Sequence, residues 1–191
     1  MTHTKHNNQV RIIAGTHRGR KIHFASSEGL RPTPDSVRER LFNWLGQDLT
    51  GQTVLDLFSG SGALGFEAAS RNAQRVILIE NNRHTVQTLK HNCQTLNFPQ
   101  VEIHHTNGLH YLKHSQESHN LVFLDPPFAW QQWQELFALL EKHLAPQAFL
   151  YLEAAQIPEL PEWLSVYREG KAGMSQFKIL QYQPINLLET T

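Results

Sequence analysis

The sequence predicts an α/β fold: a doubly wound, mostly parallel sheet of seven strands, preceded by a small hairpin and helix. Two observations predict this fold. From residue 53 onward, short apolar runs alternate with segments of helical periodicity, a pattern typical of a parallel sheet. The chain also has 191 residues, enough for one such domain but not for two. We therefore expect an N-terminal extension over residues 1–50 and a main domain over residues 51–191.

The extension is expected to begin with a hairpin, with strands at residues 10–14 and 21–24 around a glycine-containing turn. A helix follows over residues 34–45, where apolar side chains recur at helical spacing. Thr33 suits the N-cap of this helix and Pro34 its first position.

Apolar runs in the main domain have the length of buried parallel strands. We predict strands at residues 53–58, 75–80, 101–105, 121–125 and 148–153, with helices at 63–71, at 82–96 and within 133–144. Two further segments, 165–169 and 176–182, flank a glycine-containing turn. They predict an antiparallel pair at the edge of the sheet, which completes the seven strands.

Basic residues are concentrated at the start of the chain, although its 17 basic and 17 acidic residues balance overall. Residues 1–24 contain no acid and hold five bases: Lys5, Arg11, Arg18, Arg20 and Lys21. A basic segment on an otherwise acidic chain is compatible with a polyanionic partner. On charge alone, a solvated terminal segment is an equally good interpretation.

Cysteine, histidine and apolar content exclude several classes of protein. The single cysteine, Cys93, rules out a disulfide framework and a cysteine-rich zinc site, and we expect it in a helix core rather than as a nucleophile. The twelve histidines lack the spacing of a metal site, so no metal is expected. No apolar stretch approaches the roughly 18 residues of a membrane span, and the first thirty residues lack an apolar signal core. These features predict a cytoplasmic protein without membrane contact.

A glycine turn is predicted between the first strand of the main domain and its helix. Gly60, Gly62 and Gly65 have the G-x-G-x-x-G spacing, which lets backbone N–H groups and a helix N-terminus approach a ligand. Glu80 ends the next strand, where a carboxylate can bind ribose hydroxyls of a dinucleotide or of S-adenosylmethionine. Asp56, which ends the first strand, would repel a pyrophosphate and suits a positive amino group. The turn leaves both cofactors open, with Asp56 favouring S-adenosylmethionine, and a turn without any ligand is a third interpretation.

The tetrapeptide Asp125-Pro126-Pro127-Phe128 follows a buried strand. Its prolines fix the backbone and lack N–H donors, which leaves the Asp125 carboxylate and the Pro126 carbonyl as acceptors at the carboxyl edge of the sheet. Converging acceptors suit the exocyclic amine of a nucleobase, on whose ring Phe128 could stack. A turn that only caps the strand is plausible for the tetrapeptide by itself, but much less so in a chain that also carries the glycine turn and its two acids.

Six segments of the chain carry a family resemblance: RIIAG (11–15), RGRK (18–21), LRPT (30–33), VRERLFNWL (37–45), DLFSGSGALG (56–65) and DPPF (125–128). Together they resemble the RsmD family of 16S ribosomal RNA (guanine-N2)-methyltransferases, in the class I S-adenosylmethionine-dependent superfamily. The resemblance spans about residues 10–182. The glycine turn and the tetrapeptide are common to the superfamily, whereas the N-terminal segments are specific to the family.

The resemblance implies transfer of a methyl group from S-adenosylmethionine, which is consumed, to N2 of one guanine in 16S ribosomal RNA. The resemblance implies that the target amine binds at Asp125, Pro126, Pro127 and Phe128. The cofactor-binding residues it implies are Asp56, Phe58, Gly60, Gly62, Glu80 and Asn107. The RNA-binding residues it implies are Arg11, Arg18, Arg20, Lys21 and Arg31. An acid is expected where Asn107 stands, although the asparagine oxygen can still accept from the adenine amino group. The partner would be 16S ribosomal RNA or a small-subunit assembly intermediate, and we expect a monomer with no obligate protein partner.

Some alternatives remain open. Arg38 would face RNA or the cofactor carboxylate, or form a surface ion pair with Asp35 or Glu39. The protein could instead be a nicotinamide-dependent oxidoreductase that uses the glycine turn, a methyltransferase acting on adenine N6, or a non-catalytic RNA-binding module whose basic hairpin does the binding.

Overall fold

A computed structural model describes residues 8–24 and 32–184. Within those residues the chain forms nine strands and five α-helices. The strands are β1 (Gln9–Arg11), β2 (Lys21–His23), β3 (Thr53–Asp56), β4 (Arg75–Glu80), β5 (Val101–His105), β6 (His119–Leu124), β7 (Leu144–Ala154), β8 (Leu164–Ala172) and β9 (Ser175–Tyr182). The helices are α1 (Asp35–Leu45), α2 (Ala63–Ser70), α3 (Arg83–Leu96), α4 (Gly108–His114) and α5 (Trp133–Leu140).

Seven of the strands form one sheet in the order β5-β4-β3-β6-β7-β9-β8. The five strands β5, β4, β3, β6 and β7 are parallel to one another, while β9 runs antiparallel between β7 and β8. The predicted doubly wound, mostly parallel sheet and its antiparallel edge are thereby confirmed. The chain winds outward in one direction from β3 and in the other from β6, so these two neighbours flank the topological switch point, where α/β sheets bind ligands.

Side chains that alternate along the strands face two separate cores. Val54 of β3 belongs to a core shared with α1, α2, α3 and the N-terminal hairpin. Leu55 belongs to the opposite core, which is shared with α4 and α5. Helices thus cover both faces of the sheet, as its continuously apolar strands require. No helix in residues 8–24 or 32–184 is long and apolar enough to cross a membrane.

The hairpin β1–β2 is fixed against the face of the sheet that carries α2 and α3. Ile12 and Ile22 are buried in the core beneath it. The Asn92 side chain of α3 accepts from the backbone N–H of His23 at 3.1 Å and donates to its carbonyl at 2.6 Å. At Gly15 (φ +81°), an added Cβ would lie 1.8 Å from the Ser70 carbonyl oxygen. Only glycine allows this close approach of the hairpin turn to the end of α2.

A buried carboxylate, Glu67 of α2, joins the hairpin to two helices. Its Oε2 accepts from the backbone N–H of Ile13 at 2.8 Å and from Arg38 of α1 at 3.1 Å. Its Oε1 accepts from the backbone N–H of Ala14 at 3.0 Å and from Arg71 at 2.9 Å. Both arginines are buried. Two cations and two backbone donors therefore compensate one buried anion.

The structure differs from several sequence-based expectations. Arg38 does pair with Asp35, but from a buried position rather than at the surface. The helix α4 was not predicted, because seven polar-rich residues give no clear periodicity. Thr33 is not the N-cap of α1: the capping position belongs to Pro34, and no side chain caps it. Cys93 packs against the core, as expected.

Replacing Glu67 with Gln is expected to destabilise the fold by about 3–5 kcal/mol, because buried Arg71 loses its anionic partner and buried Arg38 keeps only Asp35. Urea denaturation monitored by circular dichroism measures this loss. The control Glu39→Gln removes an exposed charge from α1 and should change stability by less than about 0.5 kcal/mol. Equal effects of the two variants would contradict the role assigned to Glu67.

Candidate active site

Two acidic residues lie at neighbouring strand tips beside the switch point. Asp56 is the last residue of β3, and Asp125 directly follows β6. In the parallel register Asp56 lies opposite Phe123, and the backbone N–H of Leu57 donates to the Phe123 carbonyl at 3.1 Å. The sheet therefore brings together the glycine turn and the tetrapeptide, which are far apart in sequence.

The glycine turn connects β3 to the N-terminus of α2. Gly60 has φ +47° and Gly62, at the capping position of α2, has φ +77°. L-residues rarely adopt these conformations, which explains why the turn needs glycine at both positions. A Cβ at Gly62 would also lie 2.6 Å from Leu89. The result is a tight turn, closed by the bond from the Gly62 N–H to the Ser59 carbonyl at 2.6 Å, that leads into the positive end of a helix.

Asp56 is almost fully buried, with 2% of its surface exposed. Burial raises the pKa of its carboxyl to about 7, and the nearby charge of Glu80 adds to that effect. Hydrogen bonds from the backbone of Gly65 and Phe58 act in the opposite direction and lower the pKa. A buried carboxyl of this kind gains from a cationic partner, because a nearby positive charge would stabilise its ionised form.

Glu80 ends β4, and Asn107 lies two residues beyond the end of β5, at the same edge of the sheet. Glu80 accepts from the backbone N–H of Gly60 at 3.0 Å through Oε2 and from that of Asn82 at 2.7 Å through Oε1. The Asn107 side-chain oxygen accepts from the backbone N–H of His110 at 2.8 Å and thereby caps α4. The oxygen expected to accept from adenine is thus engaged by a helix, although the side-chain NH₂ retains two donors.

The tetrapeptide presents a half-buried acid and an exposed aromatic ring. Asp125 accepts from the Thr33 hydroxyl at 3.2 Å, and 65% of the Phe128 surface is exposed. Burial raises the pKa of Asp125 to about 8. The charge of Glu153 and, more weakly, that of Asp56 also raise it, whereas the Thr33 hydrogen bond lowers it.

Sequence analysis missed two functional candidates, Glu153 and Tyr151 of β7. The Tyr151 hydroxyl donates to the Glu153 carboxylate at 2.6 Å, and both residues are buried. Burial and the Glu153 charge raise the pKa of Tyr151. The available signal was a glutamate near the end of a predicted apolar strand, at the same edge as Asp56 and Asp125.

A cavity of about 400 Å³ adjoins the tetrapeptide. Its volume falls within the roughly 300–1,000 Å³ common for small-molecule sites. The Trp130 ring packs edge-on against Phe58 and against Trp133, with ring centroids 5.2 and 4.9 Å apart. The lining also includes two amide side chains. Residues that line the cavity are Pro126, Pro127, Phe128, Trp130, Gln131, Trp133 and 154–158.

The basic side chains of the hairpin face solvent. Arg11, Arg18, Arg20 and Lys21 are all exposed, and Arg11 also forms an ion pair with Asp35 at 3.3 Å. Arg31, which the sequence analysis grouped with them, lies outside the described residues. We call the hairpin that carries these four exposed cations the basic hairpin.

The strand order and the turn at its switch point define a class I methyltransferase fold. The structure is similar to that of an RNA methyltransferase from Salinibacter ruber in complex with S-adenosyl-L-homocysteine, with a TM-score of 0.64 at 20% identity over 82% of this chain and 99% of that chain. It is also similar to the solved structure of yhhF from Escherichia coli, with a TM-score of 0.84 at 39% identity over 92% of this chain and 98% of that chain.

The chain belongs to the RsmD family, which confirms the resemblance seen in the sequence. The family described as Conserved hypothetical protein 95 matches residues 10–181. Ribosomal RNA small subunit methyltransferase D of Escherichia coli K12 is 42% identical over 178 residues, which cover 91% of this chain and 90% of that protein. The protein of the same name from Haemophilus influenzae is 40% identical over 181 residues, which cover 91% and 94%.

The raised pKa of Asp56 predicts a pH-dependent stability. Between its ordinary pKa of 3.8 and about 7, the folded chain binds the Asp56 proton more tightly than the unfolded chain. Stability conferred by that proton is therefore lost as pH rises through this window. The stability of Asp56→Asn relative to wild type should increase by about 2–3 kcal/mol from about pH 5 to about pH 8.

Urea denaturation at both pH values measures this change. Asp48→Asn is the control, because Asp48 is exposed and its hydrogen bonds to Asn72 and Thr50 lower its pKa, so that it stays ionised throughout the range. Identical pH dependences for the two variants would show that Asp56 does not titrate as stated.

Proposed function

We propose that this protein transfers a methyl group from S-adenosylmethionine to N2 of a guanine in 16S ribosomal RNA. The observation that supports the proposal is the meeting of Asp56 and Asp125 at neighbouring strand tips, where a site for a cationic donor would lie beside acceptors for an amine. Membership of the RsmD family supports the same reaction and substrate.

The residues around the glycine turn fit S-adenosylmethionine. The buried Asp56 carboxyl would hold the methionyl amino group, whose positive charge would favour its ionised form. The turn at Gly60 and Gly62 would accommodate the methionyl part, and Phe58 would contact the cofactor beside it. Each Glu80 oxygen already accepts one backbone N–H and has a further lone pair for a ribose hydroxyl. When bound, S-adenosylmethionine supplies an electrophilic methyl group on a sulfonium.

The target guanine would enter the cavity beside the tetrapeptide. A base inside a helix is out of reach, so it must lie in a loop or leave its stack. The exposed ring of Phe128 can stack on it, and the prolines hold the backbone rigid. Asp125 and the Pro126 carbonyl would each accept one N–H of the amine, which turns the nitrogen lone pair toward the methyl group.

Chemistry at this site is a direct displacement. The N2 lone pair forms the N–C bond while the C–S bond breaks, and the electron pair of that bond stays on sulfur. Because the amine is conjugated with the ring and weakly nucleophilic, positioning must supply most of the acceleration, an effect that can be worth about 7–11 kcal/mol. The proton leaves late, once the nitrogen has become cationic. Asp125 suits its acceptance, since a pKa of about 8 makes it a stronger base than an ordinary carboxylate.

The basic hairpin would hold the RNA through its phosphates. Arg11, Arg18, Arg20 and Lys21 are exposed on a hairpin fixed to the domain, and such cations bind phosphates without reading sequence. Arg38 has no part in direct RNA binding on this proposal, because it is buried.

The remaining alternatives make different demands on the site. A nicotinamide dinucleotide would bring its pyrophosphate to the glycine turn, close to the Asp56 carboxyl and to Glu80, where like charges repel. Methylation of adenine N6 could use the same acceptors, so the methylated nucleoside itself has to be identified. A non-catalytic RNA-binding module would bind RNA and transfer no methyl group.

Replacing Asp125 with Ala should reduce the rate of methyl transfer by roughly 100- to 10,000-fold, because the amine loses its acceptor. The affinity for S-adenosylhomocysteine should stay within about twofold of the wild-type value. Incorporation of tritiated methyl into 16S ribosomal RNA from cells lacking the protein measures transfer, and titration calorimetry measures binding. Glu162→Ala, an exposed acid, is the control. Mass spectrometry should find N2-methylguanosine; N6-methyladenosine, or full activity in the Asp125 variant, would contradict the proposal.

Single substitutions Arg18→Gln and Arg20→Gln should each weaken RNA binding and lower the slope of log affinity against log salt by about 1, as expected for one phosphate contact. Fluorescence anisotropy with labelled RNA over a salt series gives the slope. Lys142→Gln removes an exposed cation that follows α5, on the opposite face of the sheet, and should leave the slope unchanged. An equal slope in the wild type and all three variants would mean that the RNA does not bind at the basic hairpin.

A further inference from the structure

Thr33 connects the segment before α1 to the candidate catalytic acid. Its side chain is buried, with 6% of the residue exposed, and its hydroxyl donates to Oδ2 of Asp125 at 3.2 Å. The two residues are 92 positions apart in the chain. The position of Thr33 next to a helix start suits a capping role, yet no side chain caps α1. The Thr33 hydroxyl instead forms a hydrogen bond with the first residue of the tetrapeptide, Asp125.

The backbone of Thr33 is held by a buried cation. Nε of Arg38 donates to the Thr33 carbonyl at 3.1 Å. The same guanidinium donates to Glu67 at 3.1 Å and to the carbonyl of Arg11 at 2.9 Å. Arg38 therefore fixes Thr33 relative to both α2, which starts at the glycine turn, and the basic hairpin. A planar guanidinium with several fixed donors suits such a junction.

We propose that Thr33 is a positioning residue for methyl transfer: its hydroxyl orients the Asp125 carboxyl toward the target amine, and Arg38 holds Thr33 in place. This inference rests on the proposed function. A hydrogen bond to Oδ2 restricts rotation of the carboxyl and leaves Oδ1 for the amine. The 3.2 Å separation is longer than the common O–H···O distance, and such contacts often tighten when substrate is bound.

Two other carboxyls surround Asp125, so a neutral hydroxyl donor such as Thr33 stabilises its ionised form. Glu153 of β7 and Asp56 of β3 both face Asp125, and both charges raise its pKa. The Tyr151 hydroxyl beside them is engaged by Glu153. The Thr33 hydroxyl is the neighbour that lowers the pKa of Asp125. Its removal would both release the carboxyl and raise its pKa further.

The test compares Thr33→Val, which removes the hydroxyl with little change in shape, with Thr33→Ser, which keeps it. Methyl transfer is measured in single turnovers, with enzyme in excess over 16S ribosomal RNA, across a pH series. Thr33→Val should transfer the methyl group roughly 10- to 100-fold more slowly, with the acidic limb of its pH profile moved to higher pH. The affinities for S-adenosylhomocysteine and RNA should stay within about twofold, and Thr33→Ser should recover most of the rate.

The possible results separate the two claims. A wild-type protein that transfers no methyl group overturns the proposed function and the inference with it. Wild-type transfer with an unchanged rate and pH profile in Thr33→Val overturns the inference alone. A rate loss that Thr33→Ser does not recover, or that comes with loss of ligand binding or of thermal stability, assigns Thr33 a structural role and overturns it too. A Thr33→Ala variant serves the same comparison should valine prevent folding.

Discussion

The buried Glu67 carboxylate is the contact on which the arrangement of the whole site depends. It lies on α2 and is bound by two arginines and by two backbone N–H groups of the hairpin segment. Desolvation of three charges is costly, and only a fully hydrogen-bonded arrangement offsets that cost. The arrangement confers a fixed geometry: the hairpin, α1 and the helix that starts at the glycine turn are held by one group.

Much of the fold could be predicted because its signals are local. Apolar runs identified the parallel strands, and the glycine spacing identified the turn before α2, since both depend on a few consecutive residues. The meeting of Asp56 and Asp125 followed from the rule that carboxyl ends of parallel strands share an edge. Three-dimensional partners were harder to predict. Nothing near Thr33 indicates that its hydroxyl contacts a residue 92 positions away, and a charged residue on a surface-like helix gives no sign that Arg38 is buried.

Three carboxyls, those of Asp56, Asp125 and Glu153, lie at the carboxyl edge of the sheet, and burial is the main reason that the pKa values of the first two are raised. Ionisation of all three carboxyls would oppose folding, because like charges repel in a region with little water. Functional sites commonly keep groups of this kind at a cost in stability. A cationic methyl donor would reduce the repulsion between the carboxylates. On the proposed function, this reduction contributes to the binding of the donor.

The close contact between Gly15 and Ser70 has a consequence for substrate choice. Because the hairpin turn cannot lift away without losing this contact and the bonds to Glu67, the span from its cations to the strand tips is set by the fold. On the proposed function, this fixed distance selects the target. When the RNA phosphates bind the hairpin, only the nucleotide at the matching distance along the RNA reaches the strand tips. Selection by spacing needs no reading of base sequence.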